Sequence, residues 1–134
     1  MARASLEWID VISGLIELTQ DGELVWEAGQ PLKTIGQDSS ERIESVFISN
    51  YKGKKLRIYK RTYQSYQISS NLGPKGAYIT DEVVLEVIAD NGLTLWTFPK
   101  VHIIRDLLRA VQYEVAGVEE LLDEILKETA LAFP

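Results

Sequence analysis

Few side chains in this sequence could bind a metal ion. The chain has no cysteine and His102 is its only histidine, so the sulfur and nitrogen ligands of a zinc site are missing. His102 closely follows Pro99, and we expect it to be either a helix-start residue or a packing residue rather than a catalyst. Glu120, Glu124 and Glu128 share one helical face, which is usually the solvated side of an amphipathic helix and only rarely a magnesium or calcium site. We therefore expect no metal and no cofactor.

No residue pattern specifies covalent or phosphate chemistry. A serine nucleophile is expected in a Gly-x-Ser-x-Gly turn or beside a base, and neither pattern occurs. Residues 73–76 have the composition of a phosphate-binding loop, but the spacing is wrong and Pro74 removes an amide donor. The sequence thus identifies no catalytic residue. A carboxylate-dependent hydrolase or small-ligand binder stays open as an alternative, because sequence spacing does not specify its paired acids.

One segment has an unusual charge. Residues 51–63 contain six of the 14 basic residues and no acid, whereas the rest of the chain has eight basic and 20 acidic residues, a net charge of −12. Three interpretations are open: lysines that protect an edge strand from aggregation, a surface for a protein partner, or a nucleic-acid surface in which tyrosines stack on bases. The net charge of −6 for the whole chain disfavours nucleic acid. The candidate partner-binding residues are Lys52, Lys54, Lys55, Arg57, Tyr59, Lys60, Arg61 and Tyr63.

The apolar spacing predicts helices at both ends of the chain. From Ser5 to about Gln20, apolar residues recur every three or four positions. A second helical pattern follows Pro99 and runs to about residue 131, and Gly117 divides it, so one kinked helix or two helices are predicted. The predicted buried stripes are Trp8, Val11, Ile12, Leu15, Ile16 and Thr19 in the first helix, and Ile103, Ile104, Leu107, Leu108, Val111 and Val115, continued by Val118, Leu121, Leu122, Ile125 and Leu126, in the C-terminal part.

The sequence between the helices predicts a short strand over residues 23–27, a loop over 28–40 and two β-hairpins. Two-residue turns at Lys52-Gly53 and at Asn91-Gly92 set the registers of the hairpins. Between the hairpins, residues 67–77 are predicted to form a long, mobile loop. The predicted pairs are Glu44–Arg61, Val46–Tyr59, Phe47–Ile58, Ile48–Arg57 and Ser49–Leu56 in the first hairpin, and Leu85–Phe98, Glu86–Thr97, Val87–Trp96 and Ile88–Leu95 in the second.

The predicted sheet has two faces with apolar side chains. One face is a core face, and the other mixes apolar with charged residues, whereas a sheet that faces solvent usually alternates more strictly. Either helices of the same chain cover both faces, or the second face is the interface of a twofold homodimer. The candidate dimer-interface residues are Val46, Ile48, Val84, Ile88 and Leu95.

Separate runs of strands and helices predict an α+β fold, with an antiparallel sheet of four to five strands in two hairpins, an N-terminal helix and one or two C-terminal helices. The length predicts a single domain over residues 1–134. The lack of cysteine, the early acids and the lack of a long apolar run predict a cytoplasmic protein without a membrane span. We expect a non-enzymatic protein-interaction module that binds a protein partner or itself as a homodimer. The alternatives are a nucleic-acid-associated regulatory protein that uses residues 51–63, and the hydrolase or small-ligand binder.

Overall fold

A computed structural model describes the backbone of residues 5–30, 41–69 and 73–130, and the side chains of residues 6–30, 41–63 and 79–130. The chain divides into two compact units, a helical unit of Met1–Glu27 with Val101–Pro134 and a sheet unit of Ala28–Lys100. One helix, five strands and two helices follow each other along the chain, and the strands form one antiparallel sheet. The predicted α+β fold is confirmed.

The helical unit begins with α1 (Ser5–Gln20), which has the predicted bounds. Leu15 and Thr19 are buried as the spacing predicts, whereas Val11 is exposed. The Thr19 hydroxyl donates to the Leu15 carbonyl oxygen at 2.7 Å and accepts the indole N–H of Trp26 at 3.0 Å. These bonds explain why a threonine lies in a buried stripe, because they satisfy an indole donor that is itself buried.

The C-terminal part forms two helices rather than one. The helices are α2 (Ile104–Val115) and α3 (Val118–Ala130), and they are separated at Gly117, whose φ of 65° lies in the left-handed region. A glycine in this conformation after the last helical turn is a common way to end a helix. None of the α3 residues is buried, whereas α2 buries Ile104, Leu107, Leu108 and Val111.

The five strands lie in the sheet in the order in which they occur along the chain. The central strand, β3, pairs with β2 on one side and with β4 on the other. The first strand begins later than the predicted strand over residues 23–27. The strands are β1 (Trp26–Ala28), β2 (Arg42–Tyr51), β3 (Lys54–Ser69), β4 (Gly73–Ile88) and β5 (Thr94–Thr97).

The β2–β3 hairpin has the predicted register near its turn and a shifted register beyond it. A bulge after Glu44, with Ser45 at a φ of 55°, inserts one residue, so that Glu44 lies opposite Lys60. Turn position alone does not predict such a bulge, because it depends on the backbone conformation further along the strand. The confirmed pairs are Phe47–Ile58, Ile48–Arg57 and Ser49–Leu56, and the predicted pair Glu44–Arg61 is wrong; the predicted pair Val46–Tyr59 falls within the bulge, where two residues of β2 lie opposite one of β3.

The β4–β5 hairpin has a three-residue turn instead of the predicted two-residue turn. The backbone hydrogen bond that closes the turn runs from the Ala89 amide to the Leu93 carbonyl at 2.8 Å. A bulge at Leu95 absorbs the extra residue, and Ile88 therefore lies opposite Thr94 instead of Leu95. Three-residue loops are among the next most common hairpin connections after the two-residue turn, and Gly92, with a φ of 88°, takes their left-handed position. Beyond the bulge the predicted pairs Val87–Trp96 and Glu86–Thr97 are confirmed.

The long loop predicted over residues 67–77 is wrong in its bounds. β3 continues to Ser69 and β4 begins at Gly73, with Ser69 opposite Gly73; residues 70–72 lie outside the described part of the chain. The glycines and Pro74 in this stretch favour a loop locally. The pairing of β3 with β4 nevertheless continues into residues 67–77. Strand propensity depends strongly on context, and here the long β3–β4 pairing supplies that context.

Both faces of the sheet carry buried side chains near its centre. On β3, Leu56 and Ile58 are 5% and 0% exposed on one face, and Arg57 between them is 6% exposed on the other. On β4, the neighbours Leu85 and Glu86 are 1% and 3% exposed. A strand covered on one face only would alternate buried and exposed residues, so both faces are covered at this point.

Candidate interaction surfaces

The basic segment of residues 51–63 lies largely in the centre of the sheet. Most of it belongs to β3, which pairs with β2 and β4. The backbone of β3 therefore has neighbours on both sides. Protection of an edge strand by lysine is the wrong explanation for this segment, because that device applies to a strand with one unpaired side.

Arg57 and Glu86 form a buried ion pair across β3 and β4. The Arg57 Nε donates to Glu86 Oε1 at 2.7 Å, Nη1 donates to the Gly92 carbonyl at 3.0 Å, and Nη2 donates to Thr94 Oγ1 at 3.1 Å. The Thr94 hydroxyl in turn donates to Glu86 Oε2 at 3.1 Å. The two charged side chains are only 7% and 4% exposed. Arg57 therefore joins the β4–β5 turn to the sheet and is not available to a partner.

Arg61 lies between two carboxylates. Its Nη1 is 3.1 Å from Glu82 Oε1 and its Nε is 2.5 Å from Glu41 Oε1, while its guanidinium lies 4.8 Å from the centre of the Tyr63 ring. Burial alone would lower the pKa of Arg61, but the carboxylates of Glu41 and Glu82 raise it above its ordinary value. Arg61 and Tyr63 are thus held within their own chain.

Lys55 and Lys60 make looser ion pairs nearer the surface. Lys55 Nζ lies 3.8 Å from Asp90 Oδ1, and Lys60 Nζ lies 3.6 Å from Asp81 Oδ2. Exposed pairs of this kind contribute little to stability and exchange readily with solvent. These two lysines and the two arginines are four of the six cations in the basic segment, and each of the four is paired with an acid. Most of these acids belong to β4 or to the β4–β5 turn.

Tyr59 is half-buried beside the Arg57–Glu86 pair. Burial raises the pKa of the Tyr59 phenol above 10.0, and the Glu86 carboxylate raises it further, while Arg57 and Arg61 lower it. A half-buried ring within a charged network packs against its own chain and offers little free surface for stacking on a nucleic-acid base. The aromatic part of the nucleic-acid interpretation therefore loses support at this position.

The two remaining lysines of the basic segment lie at one end of the sheet. Lys52 and Lys54 are exposed, and no acid in the described part of the chain is paired with either. The Lys52 ammonium lies 5.4 Å from the centre of the Tyr51 ring. The β3–β4 register brings the β2–β3 turn beside the β4–β5 turn, and Leu93 of the second turn is 64% exposed. We call Tyr51, Lys52, Lys54 and Leu93 the tip surface.

The candidate dimer interface on the second sheet face is partly covered by the chain itself. Val46 and Ile88 are 8% and 4% exposed. The Gly29 amide donates to the Val46 carbonyl at 2.8 Å, and a Cβ placed on Gly29 would lie 3.0 Å from Val46 Cγ1, so the chain after β1 lies beside β2 and close to the Val46 side chain. Leu95 is 61% exposed, and self-association through this face stays a prediction. The half-buried members of the set are Ile48 and Val84.

The helix α3 exposes an apolar stripe. Leu121, Leu122, Ile125 and Leu126 recur on one face at helical spacing, and they are 56%, 44%, 48% and 65% exposed. An apolar face with this spacing normally packs against a core, yet α3 buries none of its residues. We call these four residues the α3 stripe.

Acidic residues border the α3 stripe on both sides. With 3.6 residues per turn, Glu124 and Glu128 lie along one border, and Glu119 and Asp123 lie along the other. Lys127 is the one basic residue of α3 and lies on the opposite side of the helix. The stripe is thus an apolar strip between two rows of negative charge.

The two units carry opposite charges. The helical unit has 13 acidic and four basic residues, a formal charge of −9, and the sheet unit has seven acidic and ten basic residues, a formal charge of +3. The charge of the helical unit has the same sign as the borders of the α3 stripe. This unit therefore attracts positively charged surfaces and repels polyanions such as nucleic acids.

A groove of about 680 Å³ opens between α1 and α2 in the helical unit. The Tyr113 hydroxyl donates a hydrogen bond to Glu119, and this bond raises the pKa of Tyr113 above its ordinary value. Because Glu119 also borders the α3 stripe, the groove and the stripe share an acidic residue. The lining of the groove includes Ile16, Asp106, Arg109, Ala110, Glu114 and Glu119.

The residues considered for metal or acid–base chemistry are not brought together. His102 is exposed in the turn before α2, where its carbonyl accepts the Arg105 amide at 3.2 Å, and Glu120, Glu124 and Glu128 are exposed on α3. Within residues 6–30, 41–63 and 79–130, whose side chains the structure describes, no group of three histidine or acidic side chains is arranged to hold a metal ion. None of the described helices α1, α2 and α3 has the length and the apolar run that a membrane-spanning helix needs.

No protein-family model matches the chain, and neither a curated protein nor a solved structure matches it. Function is therefore inferred from the surfaces of the molecule. The surfaces that carry this inference are the α3 stripe with its acidic borders and the tip surface.

Sequence reasoning missed the exposure of the α3 stripe and the charge pairing of β3 with β4. Amphipathic spacing predicts an apolar face, but it does not say whether anything covers that face. The charge pairing does leave a signal in the sequence. Four positions separate Arg57 from Arg61, and four separate Glu86 from Glu82, so antiparallel strands bring both pairs into register together.

Proposed function

We propose that this chain is a non-enzymatic protein-interaction module that binds a basic, apolar protein surface through the α3 stripe. The observation that carries the proposal is the exposure of four large apolar side chains on a helix that buries none of its residues. Isolated exposed leucines are ordinary in folded proteins, but a continuous apolar helical face bordered by polar residues marks an interaction site.

Covering the α3 stripe would stabilise α3 itself. A helix of 13 residues is marginal in water unless packing supports it. Burying the exposed half of four leucine or isoleucine side chains contributes roughly 3–6 kcal/mol, at about 1.5–3 kcal/mol for each complete burial. A partner that covers the stripe gains this burial, and α3 gains a core to pack against.

The acidic borders of the stripe favour a basic partner, because opposite charges across an interface speed association and exclude wrong partners. The nucleic-acid alternative has less support, since four of the six cations in residues 51–63 are paired with acids. No observation favours the hydrolase or small-ligand alternative over binding of a protein. We expect the module to act in the cytoplasm, in keeping with the lack of cysteine.

The probe for this proposal is a synthetic amphipathic peptide of leucine and lysine, with a leucine–glutamate peptide of the same pattern for comparison. We expect the lysine peptide to bind and the glutamate peptide not to bind. Leu126→Ser should weaken binding roughly 5–30-fold, because about two thirds of this side chain is exposed and its burial contributes about 1–2 kcal/mol. Isothermal titration calorimetry measures both effects.

Leu6→Ser is the matched control, since Leu6 and Leu126 are 74% and 65% exposed and lie on different helices. The control variant should bind the lysine peptide as the unmodified chain does. Equal weakening by Leu6→Ser and Leu126→Ser, or equal binding of both peptides, would show that the α3 stripe is not the binding surface.

A further inference from the structure

We infer that the surface that covers the α3 stripe is the tip surface of a second copy of this chain. The inference rests on the proposed function and names the occupant of the same site. The occupant must offer apolar side chains for the stripe and positive charges for both acidic borders. Each of these requirements is met by a described surface of the sheet unit.

Pairing of α3 with α3 of a second copy does not meet these requirements. The borders of the stripe carry Glu119, Asp123, Glu124 and Glu128, and Lys127 lies on the far side of the helix. Two such stripes in contact would place acidic rows against acidic rows, and like charges facing each other across an interface are strongly unfavourable. The stripe therefore selects a partner surface with different chemistry.

The tip surface has the complementary chemistry. Tyr51 and Leu93 supply apolar area, with Leu93 64% exposed, and Lys52 and Lys54 are exposed cations without an acid paired to them among the described residues. The tip is also held in shape before binding, because Arg57 donates to the carbonyl of the turn that carries Leu93. A surface that is already ordered loses less conformational entropy on binding.

Each copy carries a net charge of −6, so two copies repel each other at long range, but the charges of the two units favour contact between unlike units over contact between like units. One copy presents a helical unit of −9 to the sheet unit of +3 in the other copy. Attraction between unlike units orients the two copies before contact. When both copies exchange the same contact the assembly closes as a twofold dimer, which is the commonest symmetry of soluble oligomers.

A charge-swap experiment tests the inference. The tip-reversed variant is Lys52→Glu with Lys54→Glu, and the helix-reversed variant is Glu124→Lys with Glu128→Lys. The control, Glu23→Lys with Glu120→Lys, has the net charge of the helix-reversed variant but leaves the border of Glu124 and Glu128 unchanged. Mass is measured by light scattering after size exclusion at low salt, and dissociation constants are measured by analytical ultracentrifugation.

The unmodified chain and the control should be dimers. Each reversed variant alone should dissociate at least about 100-fold more readily, because like charges then meet at both contacts. An equimolar mixture of the two reversed variants should form the dimer again, since each acidic tip then meets a basic helix and each basic tip meets an acidic helix. A monomeric unmodified chain, reversed variants that remain dimers, or a mixture that stays monomeric would each overturn the inference.

Binding of the leucine–lysine peptide to the tip-reversed variant tests the proposed function separately from the dimer. Its α3 stripe is unoccupied in this scheme and is free to bind the leucine–lysine peptide. If the unmodified chain is a monomer and the tip-reversed variant binds the peptide, a second copy is not the partner that covers the α3 stripe, but the proposed function still holds. A failure of the peptide to bind the tip-reversed variant contradicts the proposed function whatever the oligomeric state.

Discussion

Replacing Arg57 by methionine tests how the sheet holds the tip surface. Arg57 contacts Glu86, Gly92 and Thr94, and its side chain is 7% exposed. Methionine fills a similar volume but has no charge and no donor for these three groups. We expect Arg57→Met to leave the Glu86 carboxylate buried with only the Thr94 hydroxyl as a described partner.

The expected loss in free energy of unfolding is about 3–5 kcal/mol, which is typical of removing one partner from a buried ion pair. Two donors to the β4–β5 turn and β5 are lost at the same time, so the upper part of this range is expected. The double variant Arg57→Met with Glu86→Leu should recover most of the loss, because an apolar pair in the same space avoids the cost of the unpaired charge.

Urea unfolding followed by circular dichroism and tryptophan fluorescence measures these changes. With a slope of about 2 kcal/mol per molar urea, the midpoint of Arg57→Met should fall by roughly 1.5–2.5 M. Lys60→Met is the matched control, because the Lys60–Asp81 pair also joins β3 and β4 but is exposed and should contribute about 1 kcal/mol or less. A midpoint of Arg57→Met equal to that of Lys60→Met, or a double variant no more stable than the single one, would refute this reasoning.

Two further changes test the packing of each unit. Thr19→Val should lower the free energy of unfolding by about 1–3 kcal/mol, because the buried Trp26 indole loses its acceptor. The control is Thr129→Val, at an exposed threonine that also donates to a helix carbonyl, and it should change the free energy of unfolding by less than about 0.5 kcal/mol. Equal effects of the two changes would contradict the role of the indole hydrogen bond. Tyr59→Phe should make the free energy of unfolding less sensitive to alkaline pH. Burial raises the pKa of Tyr59 above 10.0 in the folded chain. The contribution of the neutral Tyr59 phenol to stability is therefore present below pH 10.0 and is lost as the pH rises through the pKa of the folded chain. Chemical unfolding at pH values on both sides of 10.0 measures this difference, and identical alkaline slopes for both proteins would show that other groups cause the loss.

The charge pairing of the basic segment cannot be predicted from the neighbouring sequence. The six cations of residues 51–63 have no acid among them, which indicated an interaction surface. The acids that balance three of them lie on β4, about 20 to 30 positions further along the chain: Glu86 with Arg57, Asp81 with Lys60 and Glu82 with Arg61. The β3–β4 pairing joins two predicted hairpins through a stretch that its glycines and proline made look like a loop.

The apolar stripes show the same limit in the helices. The spacing placed apolar residues on one face of α2 and on one face of α3, and the two patterns are of the same kind. Only the structure shows that Val111 of α2 is 0% exposed while Leu126 of α3 is 65% exposed. The interaction surface proposed for this protein therefore depends on a difference that periodicity does not encode.

The sequence by itself determined the features that depend on neighbouring residues. These are the bounds of α1, the break at Gly117, the two hairpins with their registers close to the turns, and the lack of ligands for a zinc site. The tertiary structure decided which residues pair across the strands and which side chains are exposed to solvent. These features are the bulges after Glu44 and at Leu95, the burial of Arg57, the central position of β3 and the exposure of the α3 stripe. Turn geometry and helical periodicity are set by contacts within a few residues, whereas burial and charge pairing depend on contacts between segments that are distant in the chain.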